Sequence, residues 1–225
     1  MKRITVLLAE DHQIVREGFR LLLNHEKDIE VVGEAETGRQ AVQLTRKLRP
    51  AVVVMDIAMP LLNGLEATRQ IRKDFPDTRV LILSAHSDDA YVEQAIELGA
   101  AGFLLKQTSS YALATAIREV QKGNPFFGAS ITKRLDDRGR KPAGRPGQFK
   151  KIRNRLSSRE VEVLQLIAEG KPNKQVAAQL GVSFKTVDKH RQHLMSKLNI
   201  HDIAGLTRYA IAAGIIESSV QVTIT

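Results

Sequence analysis

Residues 51–56 read Ala51-Val52-Val53-Val54-Met55-Asp56, an apolar run that ends in a carboxylate. A short valine-rich run is typical of a strand that is buried on both faces of a parallel sheet. A second apolar run, at residues 4–9, ends in the acidic pair Glu10-Asp11. In a doubly wound sheet, ligands bind beyond the carboxyl ends of the strands. We therefore expect three carboxylates to meet at one edge of a parallel sheet.

The first 123 residues alternate short apolar runs with amphipathic segments. Strands are predicted at about 4–8, 29–34, 51–55, 79–83 and 102–105, and helices at about 13–24, 38–48, 64–73, 89–98 and 109–122. This alternation predicts an α/β fold with a doubly wound, five-stranded parallel sheet of the flavodoxin type. With the strand order 2-1-3-4-5, the first and third strands are neighbours, so that their terminal carboxylates converge.

Two further strand ends add a hydroxyl and an ammonium group. Ser84 follows the apolar residues 80–83, and Lys106 follows residues 103–105. Three clustered carboxylates need a compensating cation, and a hard divalent ion such as Mg²⁺ suits oxygen ligands. Asp56 could then attack phosphorus and form an acyl phosphate. Lys106 would balance the charge of the transferred group, and the Ser84 hydroxyl would donate to one of its oxygens.

The net charge of +9 is concentrated in one segment. Residues 133–155 contain ten Lys or Arg and two Asp or Glu, whereas residues 1–132 have a net charge of −1. Glycine and proline interrupt the same basic segment, which predicts a flexible linker over residues 126–154. Two interpretations of the linker stay open: a solubilising tether, or an additional contact to DNA phosphates.

The composition excludes several classes of site. The chain has no cysteine, which excludes disulfides, thiolate metal sites and cysteine nucleophiles, and which fits a reducing cytoplasm. No stretch approaches the roughly 18 consecutive apolar residues of a membrane span. We therefore expect a cytoplasmic protein without a membrane partner. The basic linker divides it into a first domain over residues 1–125 and a second domain over residues 155–220.

The second domain has the pattern of four short helices. Ser157-Ser158-Arg159-Glu160 has the form of a capping box before an apolar helix face. Further along, Ala177, Gly181 and Val187 have the spacing of a helix-turn-helix, in which the alanine permits close helix approach and the glycine permits a positive φ.

The second helix of that motif has a polar, mostly cationic face. Lys185, Asp188, Lys189 and Gln192 share this face, and Arg191 and His193 lie at its margins. Lysine and glutamine can reach base edges in the major groove, and an aspartate can accept from a cytosine amino group. The sequence thus predicts a surface that binds double-stranded DNA.

The acidic positions and the residues that follow them resemble the receiver domain of two-component response regulators. The resemblance covers about residues 3–123 and rests on the following residues: Glu10-Asp11, Asp56, Met59-Pro60, Asn63-Gly64, Ser84-Ala85, Phe103 and Lys106. It implies that a sensor histidine kinase phosphorylates Asp56 and that the main-chain carbonyl of Ala58 joins the metal shell. It also implies that Ser84 and Phe103 form a switch pair. Phe103 stands where the family often has tyrosine, and Gln107 where it often has proline.

Residues 155–216 resemble the LuxR-type helix-turn-helix domain, through Leu156-Ser157-Ser158-Arg159-Glu160 and Thr186-Val187-Asp188-Lys189-His190 among others. With the receiver, the whole chain is similar to transcriptional response regulators of the NarL/FixJ class. This resemblance implies that phosphorylation promotes a homodimer, with a contact near residues 206–213, that binds an inverted-repeat operator.

Three alternative functions agree less well with the residues. An Asp-nucleophile phosphohydrolase of the haloacid-dehalogenase type has a second Asp two residues after the nucleophile, where this chain has Ala58. A DNA-binding protein that works without phosphorylation would use the first domain only to dimerise. An acyl-homoserine-lactone receptor would need a ligand pocket in place of the doubly wound sheet.

Overall fold

The structure is a computed structural model that describes residues 3–85, 89–107, 110–128, 131–132 and 156–216 of the 225-residue chain. The chain divides into two compact units between Ala143 and Gly144. Residues 129–130 and 133–154 of the predicted basic linker lie outside the described residues, and so do residues 155 and 217–220 of the predicted second domain.

The first unit alternates strands and helices as the sequence predicts. Its elements within the described residues are β1 Ile4–Ala9, α1 Gln13–Asn24, β2 Ile29–Ala35, α2 Gly38–Leu48, β3 Val52–Asp56, α3 Gly64–Asp74, β4 Arg79–Ser84, α4 Asp89–Glu97, β5 Gly102–Leu105, α5 Ser110–Lys122 and β6 Phe126–Phe127. All strand pairs are parallel, and the order in the sheet is β2-β1-β3-β4-β5-β6. The predicted order 2-1-3-4-5 is confirmed, so β1 and β3 are neighbours.

The prediction of five strands is wrong by one, because β6 pairs with β5 through Gly102↔Phe126 and Phe103↔Phe127. Beyond it, Ile131 is only 1% exposed and packs in the core of the first unit. The linker therefore does not begin at residue 126 as predicted. A two-residue strand has no periodicity that a sequence pattern could reveal, and its stability comes from pairing with β5.

Each face of the sheet has its own apolar core. Met55, Ile82 and Phe103 pack on the side of α2, α3 and α4, whereas Val54 and Leu104 pack on the side of α1 and α5. Alternate residues of a strand point to opposite faces, so a strand that is covered by helices on both sides is apolar throughout. The five residues of β3 are all buried, which explains the uninterrupted apolar run at residues 51–55.

Within residues 156–216, the described part of the second unit, there are four helices: α6 Ser158–Ala168, α7 Asn173–Leu180, α8 Phe184–Leu198 and α9 Ile203–Ala212. The predicted capping box is present, because Ser157 accepts from the Glu160 N–H and the Glu160 side chain accepts from the Ser157 N–H. Lys197 of α8 also pairs with Glu160 at 2.7 Å, which joins α6 to α8. In the part of the chain that the structure describes, no helix has the length and apolar character needed to span a membrane.

Candidate functional site

The ends of four neighbouring strands lie at one edge of the sheet in the first unit. Ala9 of β1 is opposite Met55 of β3, so the next residues, Glu10 and Asp56, leave the two strands at the same level. On the other side of β3, the Lys106 N–H donates to the Ser84 carbonyl at 2.8 Å, which joins the ends of β4 and β5. Parallel pairing thus gathers the predicted acidic, hydroxyl and ammonium groups at one edge.

Lys106 bridges two of the buried carboxylates. Its Nζ lies 2.7 Å from Glu10 Oε2 and 3.0 Å from Asp56 Oδ2, and Glu10 and Asp56 are only 3% and 2% exposed. One ammonium group therefore faces both acids in a site of low solvent access, where an electrostatic interaction is stronger than in water.

The acidic site has more acceptor capacity than its neighbours use. Among the described residues, Glu10 Oε2, Asp11 Oδ1 and Asp56 Oδ2 are buried and accept no hydrogen bond. Lys106 donates to the other oxygen of Glu10, Oε1, at 3.0 Å, and it lies close to Glu10 Oε2 and Asp56 Oδ2 as an ion-pair partner. Unsatisfied buried carboxylate oxygens are costly unless a cation compensates them. The donor set is thus one of hard oxygens, which fits Mg²⁺.

His12 is a member of the acidic cluster that the sequence interpretation missed. Its Nδ1 lies 2.9 Å from Asp11 Oδ1 and 3.1 Å from Glu10 Oε1, and ligand atoms of these three residues lie within 4.8 Å of one another. Asp56 is not in that tight group and is connected to Glu10 through Lys106. His12 could have been predicted from the sequence, because it directly follows the acidic pair Glu10-Asp11.

The electrostatics of the site oppose ionisation of Asp56. Burial, followed by the neighbouring Glu10 carboxylate, raises the pKa of Asp56 to about 6, although Lys106 acts in the opposite direction. Burial lowers the pKa of Lys106, but the Asp56 and Glu10 carboxylates outweigh it, so that the net shift is upward. Asp56 is therefore a carboxylate whose charge needs a further cation for full compensation.

The segment after Asp56 is held tightly against it. Asp56 Oδ1 accepts from the Ile57 N–H at 2.8 Å, and the Gly64 N–H donates to the Ile57 carbonyl at 2.9 Å. A Cβ on Gly64 would collide with the Asp56 main-chain carbonyl oxygen, so this contact needs glycine. Ala58 lies half-buried in this segment, and the metal-binding role of its carbonyl stays a prediction.

The predicted switch pair, Ser84 and Phe103, lies next to the acidic site but on different levels of the sheet. Ser84 is 1% exposed and Phe103 fully buried. In the register of β4 and β5, Phe103 is opposite Ile82, and Ser84 is opposite Leu105. The ring of Phe103 thus has the inward position within the core.

The helix-turn-helix has the predicted geometry. Gly181 ends α7 in the left-handed region with φ 63°, and Ser183 caps α8 by accepting from the Thr186 N–H. Val187 is fully buried and Ala177 is 7% exposed. The apolar stripe of α8 is thereby fixed on the inside, and its opposite, polar side faces outward.

Five of the six predicted DNA-contacting residues line one concave surface on α8. This surface comprises Ser183, Lys185, Thr186, Asp188, Lys189, His190, Gln192 and His193. The sixth, Arg191, is half-buried, and its Nη1 donates to Asn173 Oδ1 of α7 at 3.2 Å. Gln192 donates to Asp188 at 3.1 Å, so these two side chains form a pair on the surface. Ser183 and Thr186 were not predicted, although their place in the first turn of the helix was the signal.

Comparisons with known protein families match both units. The family described as "Response regulator receiver domain" matches residues 6–118. The family described as "Bacterial regulatory proteins, luxR family" matches residues 154–210. The two matches cover the acidic strand edge and the helix-turn-helix, respectively.

Several relatives are similar over nearly the whole chain. Transcriptional regulatory protein DegU of Brevibacillus brevis is 37% identical over 211 residues, which cover 89% of this chain and 89% of DegU. Oxygen regulatory protein NreC of Staphylococcus carnosus (strain TM300) is 38% identical over 208 residues, which cover 92% and 96%.

Solved structures give the same result. A LuxR-family two-component response regulator from Aurantimonas sp. SI85-9A1 has a TM-score of 0.59 and 33% identity, covering 61% of this chain and 99% of that chain. The response regulator RcsB, solved as a complex with DNA, has a TM-score of 0.57 and 29% identity, covering 94% and 99%. The chain therefore belongs to the NarL-type two-component response regulators, which join a receiver domain to a LuxR-type DNA-binding domain, and it is a transcription regulator and not an enzyme.

Proposed function

We propose that Asp56 accepts a phosphoryl group from a sensor histidine kinase and that this modification controls DNA binding by the second domain. The observation that carries the proposal is the contact of buried Asp56 with Lys106, beside a second buried acid, Glu10. An isolated carboxylate at a strand end would be solvated, whereas this one is surrounded by the groups that phosphoryl chemistry requires.

Glu10, Asp11 and Asp56, with the Ala58 carbonyl, would hold Mg²⁺. The three buried oxygens that accept no hydrogen bond support this assignment. When bound, the cation supplies charge compensation for the carboxylates and for the phosphoryl oxygens.

The chain's own residues perform the remaining steps. An Asp56 carboxylate oxygen attacks the phosphorus of a phosphohistidine, the P–N bond breaks, and the imidazole nitrogen leaves with the electron pair. Lys106 keeps its position and pairs with a phosphoryl oxygen in place of the Asp56 carboxylate. The Ser84 hydroxyl donates to another phosphoryl oxygen. The ring of Phe103 already lies in the core, and the new hydrogen bond of Ser84 at the end of β4 stabilises it in that position.

The phosphorylation step can be tested with acetyl phosphate. Asp56→Asn should abolish phosphate incorporation in the presence of Mg²⁺, and Lys106→Ala should reduce it. Asp74→Asn, which changes an exposed carboxylate at the end of α3, is the matched control and should incorporate phosphate normally. Continued labelling of the Asp56→Asn protein would identify another acceptor and refute the assignment.

For the DNA-binding domain, we propose that α8 enters the major groove of an inverted-repeat operator as part of a two-fold dimer. Lys185, Lys189 and Gln192 would contact base edges, and Asp188 would orient Gln192 through the hydrogen bond between them. His193 would approach a phosphate. Arg191 would approach a phosphate only from the margin of the polar face of α8, because it also donates to Asn173 of α7.

A comparison of specific and nonspecific binding tests the role of Lys189. A base contact predicts that Lys189→Ala weakens binding to a selected operator by about 1–3 kcal/mol and leaves nonspecific binding much less affected. Lys73→Ala removes an exposed lysine from the receiver and should change neither. Equal losses on both DNAs would show that Lys189 contacts a phosphate.

Dimerisation and its dependence on phosphorylation are part of the same proposal. Ile203 and Ile211 of α9 are 51% and 36% exposed and lie on one side of that helix, which supports a contact between two copies there. Gel filtration with and without beryllofluoride would detect the change in mass. A constant mass together with constant operator affinity would favour the alternative of a regulator that works without phosphorylation. Because the proposed partners are a sensor kinase and DNA, we propose that the protein acts in the cytoplasm.

A further inference from the structure

Arg16 is a buried cation that lies outside both sites described above. It belongs to α1 and is only 7% exposed. Its guanidinium donates to three acceptors: from Nη1 to the Glu10 main-chain carbonyl at 2.7 Å, from Nη2 to Glu36 at 2.8 Å, and from Nε to Glu34 at 3.2 Å. Burial of a charge is costly unless it is paired and hydrogen-bonded, and these contacts meet that requirement.

The contact with Glu10 concerns its main chain and not its carboxylate. Glu10 follows the last residue of β1, and its N–H donates to the Ala35 carbonyl at the end of β2 at 2.9 Å. The Glu10 carbonyl accepts a hydrogen bond from Arg16. Arg16 in turn donates to Glu34 and Glu36, which are the two neighbours of Ala35 in the chain. The peptide groups on both sides of Glu10 are thus attached to the end of β2, one directly and the other through Arg16.

This attachment fixes the direction in which the acidic side chains leave the main chain. The Glu10 carbonyl belongs to the peptide that leads to Asp11, so its orientation sets the relative positions of the two carboxylates. Both carboxylates present buried oxygens without a hydrogen bond. Two like charges repel each other, and a cation site therefore needs a framework that keeps them close before the cation binds.

We infer that Arg16 is a positioning residue for the cation site: it orients Glu10 and Asp11 through the Glu10 carbonyl and is itself oriented by Glu34 and Glu36. The inference rests on the proposed binding of Mg²⁺. It requires arginine, because the planar guanidinium directs Nη1, Nη2 and Nε toward three separate acceptors, whereas a lysine ammonium is a compact point charge whose donors are not held in such a fork.

The test is the Mg²⁺ affinity of the full-length protein, measured by isothermal titration calorimetry at a temperature at which circular dichroism shows every variant to be folded. Arg16→Ala should weaken Mg²⁺ binding by about 10-fold or more, the range seen when an outer contact of a metal ligand is removed. Arg16→Lys should lose nearly as much, although it retains the charge. Arg20→Ala is the matched control, because Arg20 lies one turn further along α1, 3.5 Å from Glu34, and does not contact Glu10. The Mg²⁺ affinity of the Arg20→Ala protein should stay within about two-fold of the wild-type value.

The outcomes separate the inference from the proposed function. Absence of Mg²⁺ binding by the wild-type protein would refute the proposed metal site. Binding by the wild type together with unchanged affinity of Arg16→Ala would refute the positioning role alone, and so would full recovery of affinity in Arg16→Lys. A purely structural role would lower the thermal midpoint without changing the affinity of the folded protein.

A second variant covers the case in which Arg16→Ala does not fold. The side chain of Glu36 is 63% exposed, so Glu36→Ala removes one acceptor of the guanidinium without disturbing the core. A measurable weakening of Mg²⁺ binding in Glu36→Ala, absent in Arg20→Ala, supports the inference. Equal affinities of Glu36→Ala and the wild type overturn it.

Discussion

Replacement of Asp56 by asparagine should stabilise the metal-free receiver at neutral pH. Burial and the Glu10 carboxylate raise the pKa of Asp56 from 3.8 to about 6. The folded state then binds a proton more tightly than the unfolded state, so stability falls as the pH rises from about 4 to about 6 and stays low above that. At about 1.36 kcal/mol per pKa unit, the wild type at pH 7.5 has lost nearly 3 kcal/mol of unfolding free energy through the ionisation of Asp56.

Asparagine has nearly the same shape as aspartate and retains an oxygen that can accept from the Ile57 N–H, but it carries no charge to desolvate. Asp56→Asn should therefore exceed the wild type in unfolding free energy by up to about 3 kcal/mol at pH 7.5 and by less than about 1 kcal/mol near pH 4. Native-state hydrogen exchange of β3 amides in EDTA measures this free energy for the receiver separately from the second domain.

An exposed carboxylate and added magnesium should each change the unfolding free energy in a way that follows from the same electrostatics. Asp74→Asn should change the free energy by no more than about 0.5 kcal/mol at either pH, because its carboxylate is exposed. Addition of Mg²⁺ should narrow the difference between Asp56→Asn and the wild type, since only the wild type has the full set of carboxylates to be compensated. A difference that is independent of pH, or a wild type that is the more stable protein at pH 7.5 in EDTA, would refute the electrostatic reasoning.

Three other predictions concern stability. Gly64→Ala should destabilise the receiver by about 1–3 kcal/mol or more in urea unfolding, because its Cβ would meet the Asp56 carbonyl oxygen. Gly181→Ala should cost the second domain about 1–2 kcal/mol, since its Cβ would meet open space and only the positive φ opposes it; a loss as large as that of Gly64→Ala would contradict this distinction. Burial acts to raise the pKa of Glu160, but the Lys197 ammonium and the hydrogen bonds from Ser157 together outweigh it, so the net pKa is lowered. Acid should therefore destabilise the second domain as the pH falls through that lowered pKa. Glu160→Gln should flatten this acid dependence in circular dichroism, and an unchanged acid transition would exclude the ion pair as its cause.

Local patterns in the sequence were sufficient for most of the architecture. A strand buried on both faces must be apolar throughout, so the runs that end in Asp56 and Glu10 revealed both the parallel sheet and its functional edge. The helix-turn-helix was equally visible, because the close approach at Ala177 and the positive φ at Gly181 restrict the residue type at each position. The capping box at Ser157 and Glu160 is a contact between residues three apart and needs no knowledge of the fold.

Other features depend on residues that are distant in the chain. The pairing of β6 with β5 brings a two-residue strand into the sheet, and no periodicity in so short a segment could indicate it. Arg16 has the spacing of the buried residues of α1, but its ion pairs are with Glu34 and Glu36, which approach it only when β2 pairs with β1. Its charge at a core-facing position was a signal that pattern reasoning did not use.

The amino-acid order thus specified which groups stand at the strand ends and which residues form the exposed face of α8, because backbone geometry and periodicity act over a few residues. The folded molecule added how those groups affect one another: Lys106 reaches both Glu10 and Asp56, and burial raises the pKa of Asp56. Electrostatic energies depend on distance and on exclusion of water, and both quantities exist only once remote segments have packed together.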